Sequence, residues 1–252
     1  GRNPNNAQHK ILDQVSPDSH VLEFGPAYGF MTKYMKERLG CCIRVVELDP
    51  TAARAVSAWA TQTVTGDIEN YEWLEAFRNL KFDYILFADV LEHLYDPWKV
   101  VRCASALLAP GGKLIMSIPN VAHSAVVLEL MGGHFSYRSM GLLDNTHIRF
   151  FTLDSILALI DAADLNPILL DAVCKLPRAT TLKRSYAEVS FWTGFAIARR
   201  PHAHVFQYIV TASAKQKKQT EARFIDRIVE PQYSLLRHLR THIANWLFRI
   251  RS

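Results

Sequence analysis

The sequence predicts an α/β fold with a doubly wound, mostly parallel sheet of seven strands, followed by a C-terminal amphipathic helical tail. Short apolar runs alternate with helical patterns along the first 120 residues, and this alternation is typical of βα units that build a parallel sheet. The runs are almost continuously apolar, as expected for strands that helices cover on both faces. We assign residues 1–213 to the body of the protein and residues 214–252 to the tail.

The predicted elements follow one another with few interruptions. Gly40 is placed to end the second helix, Asp96 and Pro97 to restart the fifth, and Thr152 to cap the sixth, because these residue types suit those positions. Residues 120–148 are predicted to be irregular and to lie over a site, and residues 182–200 to be helix and loop. The predicted helices are 7–15, 30–39, 51–61, 71–79, 90–108 and 152–163, and the predicted strands are 21–24, 42–49, 63–67, 82–88, 113–119, 168–173 and 205–213.

Composition and charge favour a folded soluble protein. Of 252 residues, 49% are hydrophobic and 21% charged, and no apolar run approaches the roughly 18–20 residues of a spanning helix. The net charge is +5, but residues 213–252 hold nine Lys or Arg against three Asp or Glu, which leaves about −1 for the rest. A near-neutral body argues against a nucleic-acid partner. The polar N-terminus and four cysteines without metal-ligand spacing lead us to expect reduced thiols and a cytoplasmic location.

The most informative pattern is a glycine turn that follows an apolar strand. Glu23 lies near the end of that strand, residues 25–29 read GPAYG, and a helix begins directly after them. Glycines let the backbone approach a ligand, and the helix offers free N–H groups. Glu47, Asp67 and Asp89 end the next three strands, and ligands of open parallel sheets bind at that edge. The order of these acids predicts a nucleotide-like cofactor.

Five segments in sequence resemble the successive motifs of class I S-adenosylmethionine (SAM)-dependent methyltransferases: VLEFGPAYG, VVELDP, TGDI, FDYILFADVLEHLYDP and LLAPGGKLIMSIPN. The resemblance covers about residues 18–175 and implies SAM as the cofactor. It implies that the glycine turn meets the methionine part of SAM, that Glu23 holds its ammonium end through water, that Glu47 binds the ribose, and that Asp67 with Ile68 meets the adenine. The full predicted cofactor set is Glu23, Gly25, Pro26, Ala27, Tyr28, Gly29, Glu47, Leu48, Asp67, Ile68 and Asp89.

One position departs from the family pattern, because Ala27 stands where glycine is common. Alanine fits there only with a negative φ angle. The alternative of a dinucleotide-dependent oxidoreductase is disfavoured, since GPAYG lacks the G-x-G-x-x-G spacing.

A cluster of metal-ligating residue types follows the fourth strand. Asp89, Glu92 and His93 are spaced to share one face of a helical turn, and His147 is a further candidate ligand. Carboxylates with imidazole suit Mg²⁺ or Mn²⁺. The pattern resembles that of small-RNA terminal 2′-O-methyltransferases and ubiquinone-pathway O-methyltransferases, in which a cation polarises the acceptor hydroxyls. The alternative is structural: Asp89 caps the helix and His93 bonds a backbone carbonyl.

The acceptor is predicted to bind between residues 120 and 152. His123 and His147 are candidate bases, with Asp144 as a third catalytic candidate, because a neutral imidazole accepts a hydroxyl proton near pH 7. The phrases SIPNVAH and GLLDNTHIRFFT resemble methyltransferases found with glycosyltransferases of surface-polysaccharide synthesis. That resemblance implies a sugar hydroxyl of a glycan, lipid-linked glycan or nucleotide sugar. Alternatives are an RNA ribose 2′-hydroxyl, a phenol or an amine, or a SAM-binding interaction module without catalysis.

The tail after Pro231 predicts one amphipathic helix. Such a helix packs on its own domain, pairs in a homodimer, or lies on an anionic membrane at the inner face. Its apolar stripe consists of Leu236, Leu239, Ile243, Trp246, Leu247 and Ile250, and its arginines are Arg237, Arg240, Arg249 and Arg251.

Overall fold

A computed structural model describes residues 5–215 and 224–251, with side chains described through residue 244 in the second range. Its strands form one sheet in the order β3-β2-β1-β4-β5-β7-β6-β8. β1 to β5 run parallel to one another, and β7 is antiparallel to both β5 and β6. The strands are β1 His20–Phe24, β2 Cys42–Glu47, β3 Gln62–Thr65, β4 Phe82–Ala88, β5 Leu108–Pro119, β6 Leu165–Cys174, β7 Val205–Ala214 and β8 Ile225–Asp226.

The predicted fold class is confirmed, with one addition. All seven predicted strands are present, and an eighth of two residues, β8, pairs in parallel with β6 at the sheet edge. So short a strand carries no recognisable periodicity in the sequence. The helices are α1 Ala7–Leu12, α2 Phe30–Leu39, α3 Pro50–Val56, α4 Glu72–Phe77, α5 Pro97–Ser105, α6 Ser124–Met131, α7 Leu153–Ala162, α8 Phe191–Ala198 and α9 Leu235–Arg251.

Helices cover both faces of the sheet, because successive strand residues point to opposite sides. On β1, Val21 joins a core cluster with Ile11 of α1 and Met35 of α2. The next residue, Leu22, joins the opposite cluster with Trp73 of α4 and Ile156 of α7. The doubly covered sheet explains why the strands read as continuous apolar runs.

The predicted helix ends agree with the structure at several points. α2 stops before Gly40, which has a left-handed φ of 68°. The Asp96 side chain accepts a hydrogen bond from the Lys99 N–H at the start of α5. Thr152 caps α7 in a capping box with Ser155. Local cap chemistry was sufficient to place these boundaries.

Two sequence predictions are wrong in detail. The predicted helix 90–108 is interrupted before Pro97 as expected, but its first part is only a 3-10 turn, Leu91–His93, and its second part, α5, ends at Ser105. The segment 120–148, predicted to be irregular, contains α6. α6 is apolar on most of its surface, with Ala125, Val126 and Leu128 buried, so it lacks the amphipathic stripe that marks a helix in a sequence.

Contacts with the body continue after residue 224, through Glu230 and through His238 of α9. Both carboxylate oxygens of Glu230 accept backbone hydrogen bonds, from the N–H groups of His202 and His204 at 2.9 and 2.8 Å. On α9, His238 is fully buried, and its Nε2 lies 2.7 Å from the carbonyl oxygen of Phe191 in α8. Among the residues that the structure describes, no helix combines the length and apolar character needed to span a membrane.

Candidate functional site

The predicted acidic residues meet at one edge of the sheet. β1 is in register with β2 and β4 so that Phe24 lies beside Val46 and Phe87. The carboxyl ends of these strands therefore lie side by side, as in other open parallel sheets that bind ligands at this edge. The glycine turn 25–29 lies between β1 and α2.

The glycine turn is closely packed. Gly25 and Gly29 have left-handed φ angles of 61° and 77°. A Cβ atom at Gly25 would lie 2.8 Å from Cγ2 of Val90, and one at Gly29 would lie 2.8 Å from Cγ2 of Val56. Larger residues at either position would displace the turn. Pro26 is buried beneath the turn, whereas Tyr28 is exposed.

Ala27 adopts a φ of 49°, so the sequence-based condition of a negative angle is not met. The left-handed region costs a non-glycine residue about 1 kcal/mol or more. The Ala27 N–H donates to Oε2 of Glu47 at 2.8 Å, and this bond holds the strained residue in place. Ala27 therefore adopts a backbone conformation that glycine takes without strain.

We expect Ala27→Gly to raise the free energy of unfolding by about 0.5–1 kcal/mol, because glycine adopts this φ without strain but has more freedom in the unfolded chain. Urea denaturation followed by circular dichroism measures the difference. Ala27→Val is the matched control and should destabilise the protein. A stability equal to wild type in both variants would contradict the strained geometry.

Glu47 connects the turn to the end of β2. Its carboxylate is buried and accepts hydrogen bonds from the N–H groups of Ala27 and Asp49. Leu48, next to it, is exposed. Asp67 caps the 3-10 helix Ile68–Asn70 by accepting from the Glu69 N–H at 2.8 Å, and Ile68 is buried. Each predicted residue lies at the sheet edge.

Glu23 is the most enclosed acid of the set. Its side chain is buried, and Oε2 accepts a hydrogen bond of 2.6 Å from Oγ1 of Thr32. Burial raises the pKa of Glu23 to about 7, although the bond from Thr32 lowers it. Glu23 therefore exchanges a proton near neutral pH.

A cavity of about 390 Å³ opens beside the end of β4. Most of its lining side chains are polar, and the lining comes from Asp89 directly after β4, the ends of β5 and β7, the 3-10 turn Leu91–His93 and the loops around residues 140–147 and 175–181. The lining residues are Asp89, Glu92, His93, Pro119, Met140, Gly141, Asp144, His147, Lys175, Ala179, Thr180, Thr181, Phe206 and Gln207.

Three of the predicted metal ligands come together in this cavity. Glu92, His93 and His147 each offer one ligand atom, and these atoms lie within 4.8 Å of one another. The loop that carries His147 is held in place because the N–H groups of Ile148 and Arg149 both donate to the Glu92 carbonyl at 3.0 Å. Two segments far apart in sequence are thereby fixed together.

Glu92 has no hydrogen-bond partner for its carboxylate. The residue is 1% exposed, and neither side-chain oxygen has a partner among the described residues. The imidazole of His147 lies nearby, with its Nε2 4.0 Å from Oε1. Burial, with the Asp89 carboxylate second, raises the pKa of Glu92 well above its usual value. A buried carboxylate without partners is costly, and this one faces the cavity.

The two imidazoles are arranged to offer nitrogen lone pairs. Nδ1 of His93 lies 3.2 Å from the carbonyl oxygen of Thr146, so the ring donates there and leaves Nε2 as an acceptor. The His93 and His147 rings are 4.9 Å apart, in an edge-on arrangement. Burial, followed by the neighbouring His93, lowers the pKa of His147, which keeps its ring neutral at pH 7.

Asp89 lies outside this ligand cluster. Its φ is 56°, and its Oδ1 accepts from Ser117 Oγ at 3.3 Å and from Nε2 of Gln207. The prediction that Asp89, Glu92 and His93 share a helical face fails because the segment is not α-helical. Asp89 as a residue is exposed and lines the cavity. Protein atoms nevertheless exclude water from around its carboxyl group, and this desolvation raises the pKa of Asp89 to about 6.

Asp144 organises the loop that carries His147. Its Oδ1 accepts from the N–H and Oγ1 of Thr146 at 2.8 and 2.7 Å. The hydrogen bond from the Thr146 hydroxyl is the main reason that the pKa of Asp144 is lowered. Asp144 lines the cavity as an ionised group.

The predicted catalytic role of His123 conflicts with the geometry. His123 is fully buried, its Nδ1 accepts from the Ala125 N–H at the start of α6, and its Nε2 lies 2.8 Å from the Lys175 carbonyl oxygen. Both ring nitrogens are thus occupied by backbone groups, and burial lowers the pKa of His123 to about 4. His123 is a helix cap and does not line the cavity.

Sequence reasoning missed Gln207 and Lys175. Gln207 is a polar residue inside the apolar strand β7, and an isolated polar residue in such a run is a sign of a site. Lys175 directly follows β6, and its Nζ lies 3.8 Å from the centre of the Phe206 ring. No feature of the sequence distinguishes Lys175 from a surface lysine.

Comparisons with known proteins agree with this arrangement. A family model described as a methyltransferase domain matches residues 5–170. A ubiquinone biosynthesis O-methyltransferase of Xanthomonas campestris pv. campestris (strain B100) is 29% identical over 139 residues, which are 54% of this chain and 58% of that protein. The chain thus spans somewhat more than half the length of this curated relative.

Solved structures share the fold. A SAM-dependent methyltransferase from Archaeoglobus fulgidus gives a TM-score of 0.56 at 14% identity, covering 81% of this chain and 90% of that one. The 1,6-didemethyltoxoflavin-N1-methyltransferase of Burkholderia thailandensis, with bound 1,6-didemethyltoxoflavin and S-adenosylhomocysteine, gives 0.52 at 18% identity, covering 84% and 80%. At these identities the similarity concerns the fold alone.

Proposed function

The chain belongs to the family of class I SAM-dependent methyltransferases, and from this premise we propose that it methylates a hydroxyl oxygen of a sugar. The sugar is part of a glycan, a lipid-linked glycan or a nucleotide sugar, and it binds in the 390 Å³ cavity. The observation that carries the proposal is the buried, unpartnered carboxylate of Glu92 beside His93 and His147.

The cluster fits a divalent cation. A cation would compensate the buried Glu92 carboxylate, and the rings of His93 and His147 would complete three protein ligands with open positions for the acceptor. One carboxylate with two imidazoles favours Mn²⁺ over Mg²⁺, the other predicted ion. When bound, such a cation supplies Lewis acidity that lowers the pKa of a coordinated hydroxyl.

The other tasks, which are to hold SAM, to orient the acceptor and to remove its proton, belong to residues of the chain and the solvent around them. Methyl transfer forms a bond from the acceptor oxygen to the methyl carbon while the carbon–sulfur bond breaks, and the hydroxyl proton must leave. In the proposal, Gln207 and Asp89 orient the acceptor at the sheet edge, and the glycine turn and Glu47 hold SAM. With a cation held by Glu92, His93 and His147, the acidified hydroxyl would give its proton to solvent in the cavity; if no metal takes part, the neutral ring of His147 accepts the proton.

Polar side chains within the lining support a sugar acceptor. Lys175, Thr180, Thr181 and Gln207 supply donors and acceptors around the acidic groups, and hydroxyl-rich ligands need such partners. A phenolic acceptor is the second candidate, because the curated relative acts in ubiquinone biosynthesis according to its name. The near-neutral charge of the body argues against RNA.

Release of S-adenosylhomocysteine tests the proposal. Purified protein is incubated with SAM and either UDP- and GDP-sugars, oligosaccharides or a catechol, in EDTA or in Mn²⁺. We expect release with a sugar acceptor in Mn²⁺, less than a tenth of that rate in EDTA, and recovery when Mn²⁺ is restored. Turnover of the catechol alone would replace the sugar by the phenol alternative. Full activity in EDTA would exclude the metal and leave His147 as the base.

We further propose that α9 rests on an anionic membrane surface at the cytoplasmic face. The face of α9 that packs on the body carries His238, whereas Leu236 and Ile243 are 60% and 54% exposed. Trp192 of α8 is 70% exposed. It follows Phe191, whose carbonyl oxygen contacts His238 of α9. α9 contains arginines and no acid. Two copies of the helix would therefore repel each other, whereas an anionic surface would attract the helix.

Flotation with vesicles tests this placement. We expect the chain to float with phosphatidylglycerol vesicles and to remain below phosphatidylcholine vesicles. The triple variant Leu236→Ser, Leu239→Ser, Ile243→Ser should lose flotation. Val229→Ser, which removes an exposed apolar side chain outside α9, is the matched control. A dimer that forms without vesicles and is lost in the triple variant would instead assign α9 to subunit contact.

A further inference from the structure

A second, smaller cavity lies between the body and the start of α9. Its volume is about 210 Å³. The body side is formed by residues 176–178 and 184–186, and the other side by Tyr233, Arg237 and Thr241. Among the described residues, this cavity and the 390 Å³ cavity have no lining residue in common.

Three arginines line this cavity, and they differ in their partners. Arg184 is neutralised, because its Nε lies 2.8 Å from Glu188 and 3.3 Å from Glu129. Arg178 donates from Nη2 to Oγ of Ser185 at 3.2 Å, and Arg237 lies over the Tyr233 ring at 5.9 Å. Within the described part of the chain, neither Arg178 nor Arg237 pairs with a carboxylate, and no acid lines the cavity.

Two guanidinium groups without a carboxylate partner therefore line one cavity from two separate elements, with Arg237 also donating from Nη1 to the Gln232 carbonyl oxygen at 3.5 Å. Like charges held together favour the binding of an anion, and the planar fork of arginine matches phosphate oxygens. The hydroxyl of Ser185 adds a neutral polar group. Leu176, Pro177 and Tyr186 also line the cavity, so part of the surface around the anion would be apolar.

We infer that this cavity binds a phosphate group, held by Arg178 from the body and Arg237 from α9. Its volume lies below the roughly 300–1,000 Å³ of sites for whole small-molecule ligands, so it suits a phosphate rather than an entire nucleotide. The phosphate would bridge α9 to the body. It comes from a soluble phosphate compound or from a phospholipid headgroup, and the inference does not depend on the acceptor of the methyl group.

Thermal unfolding with inorganic phosphate tests the inference on the full chain. At constant ionic strength set with NaCl, 10 mM phosphate is expected to raise the Tm of wild type. Arg178→Gln and Arg237→Gln should each weaken phosphate binding about tenfold, since a charge-assisted hydrogen bond is lost. Arg240→Gln is the matched control, because Arg240 is an exposed arginine on the same helix that does not line the cavity.

Vesicle binding separates the two sources. Phosphate binding in solution that is lost in Arg178→Gln supports a soluble compound. No response to phosphate, with flotation on phosphatidylglycerol vesicles that is lost in Arg178→Gln but only slightly reduced in Arg240→Gln, which removes one α9 charge outside the cavity, supports a lipid headgroup. Equal behaviour of wild type, Arg178→Gln and Arg237→Gln in both experiments would overturn the inference. Circular dichroism confirms that each variant folds.

Discussion

Replacing Glu92 by glutamine is expected to lower kcat about a hundredfold or more, with little change in SAM affinity. The reason is that Glu92 supplies the only carboxylate of the cluster formed with His93 and His147 among the described residues, and an amide oxygen is a much weaker cation ligand. Steady-state release of S-adenosylhomocysteine in Mn²⁺ measures kcat, and calorimetric titration with S-adenosylhomocysteine measures the cofactor site.

The same substitution should leave the metal-free protein at least as stable as wild type. The Glu92 oxygens make no hydrogen bonds, so glutamine removes a costly buried acid without breaking a contact. Glu129→Gln is the matched control. Glu129 is equally buried, but its Oε2 lies 3.3 Å from Nε of Arg184 in an ion pair without a hydrogen bond. Glu129→Gln removes that ion pair and should lower the free energy of unfolding by about 2 kcal/mol while kcat is unchanged. Wild-type turnover in Glu92→Gln would remove Glu92 from the mechanism.

Much of the fold could be predicted because it depends on local chemistry. Apolar runs defined the parallel strands, and Gly40, Asp96 and Thr152 defined helix ends. Where several local patterns compete, the prediction failed. α6 lacks an amphipathic stripe, and the turn Leu91–His93 has a helical spacing but begins after Asp89, whose left-handed φ interrupts the helix.

The candidate site divides in the same way. The cofactor residues follow strands in sequence order, so the motifs Glu23, Glu47 and Asp67 could be placed from the sequence. The pairing of Glu92 with His147 depends on backbone hydrogen bonds from Ile148 and Arg149, which no spacing rule predicts. His123 was misassigned for the opposite reason: its position after β5 suggested chemistry, but its ring is used to cap α6.

We expect the affinity for S-adenosylhomocysteine to weaken about tenfold from pH 8 to pH 6. Burial raises the pKa of Glu23 to about 7 in the free protein. The family resemblance places the ammonium group of the ligand near this carboxylate, which favours the ionised form. At pH 6 only about a tenth of Glu23 is ionised, and binding must therefore release a proton. Calorimetry in two buffers with different ionisation enthalpies measures both the affinity and the proton count.

The free energy of unfolding of the free protein should also depend on pH and should fall as Glu23 ionises. The pKa of Glu23 in the folded protein lies above its unfolded value of 4.5, so the folded state holds the proton more tightly. The protonated side chain therefore contributes its full stabilisation below pH 4.5, and this stabilisation is lost as pH rises through about 7. The loss is about 3 kcal/mol for this group. In Glu23→Gln this component should be absent and the affinity should vary less with pH, although Asp89 still titrates near pH 6. An unchanged pH profile in Glu23→Gln would show that Glu23 is not the group that couples proton release to cofactor binding, and Asp89→Asn would then be the variant that identifies it.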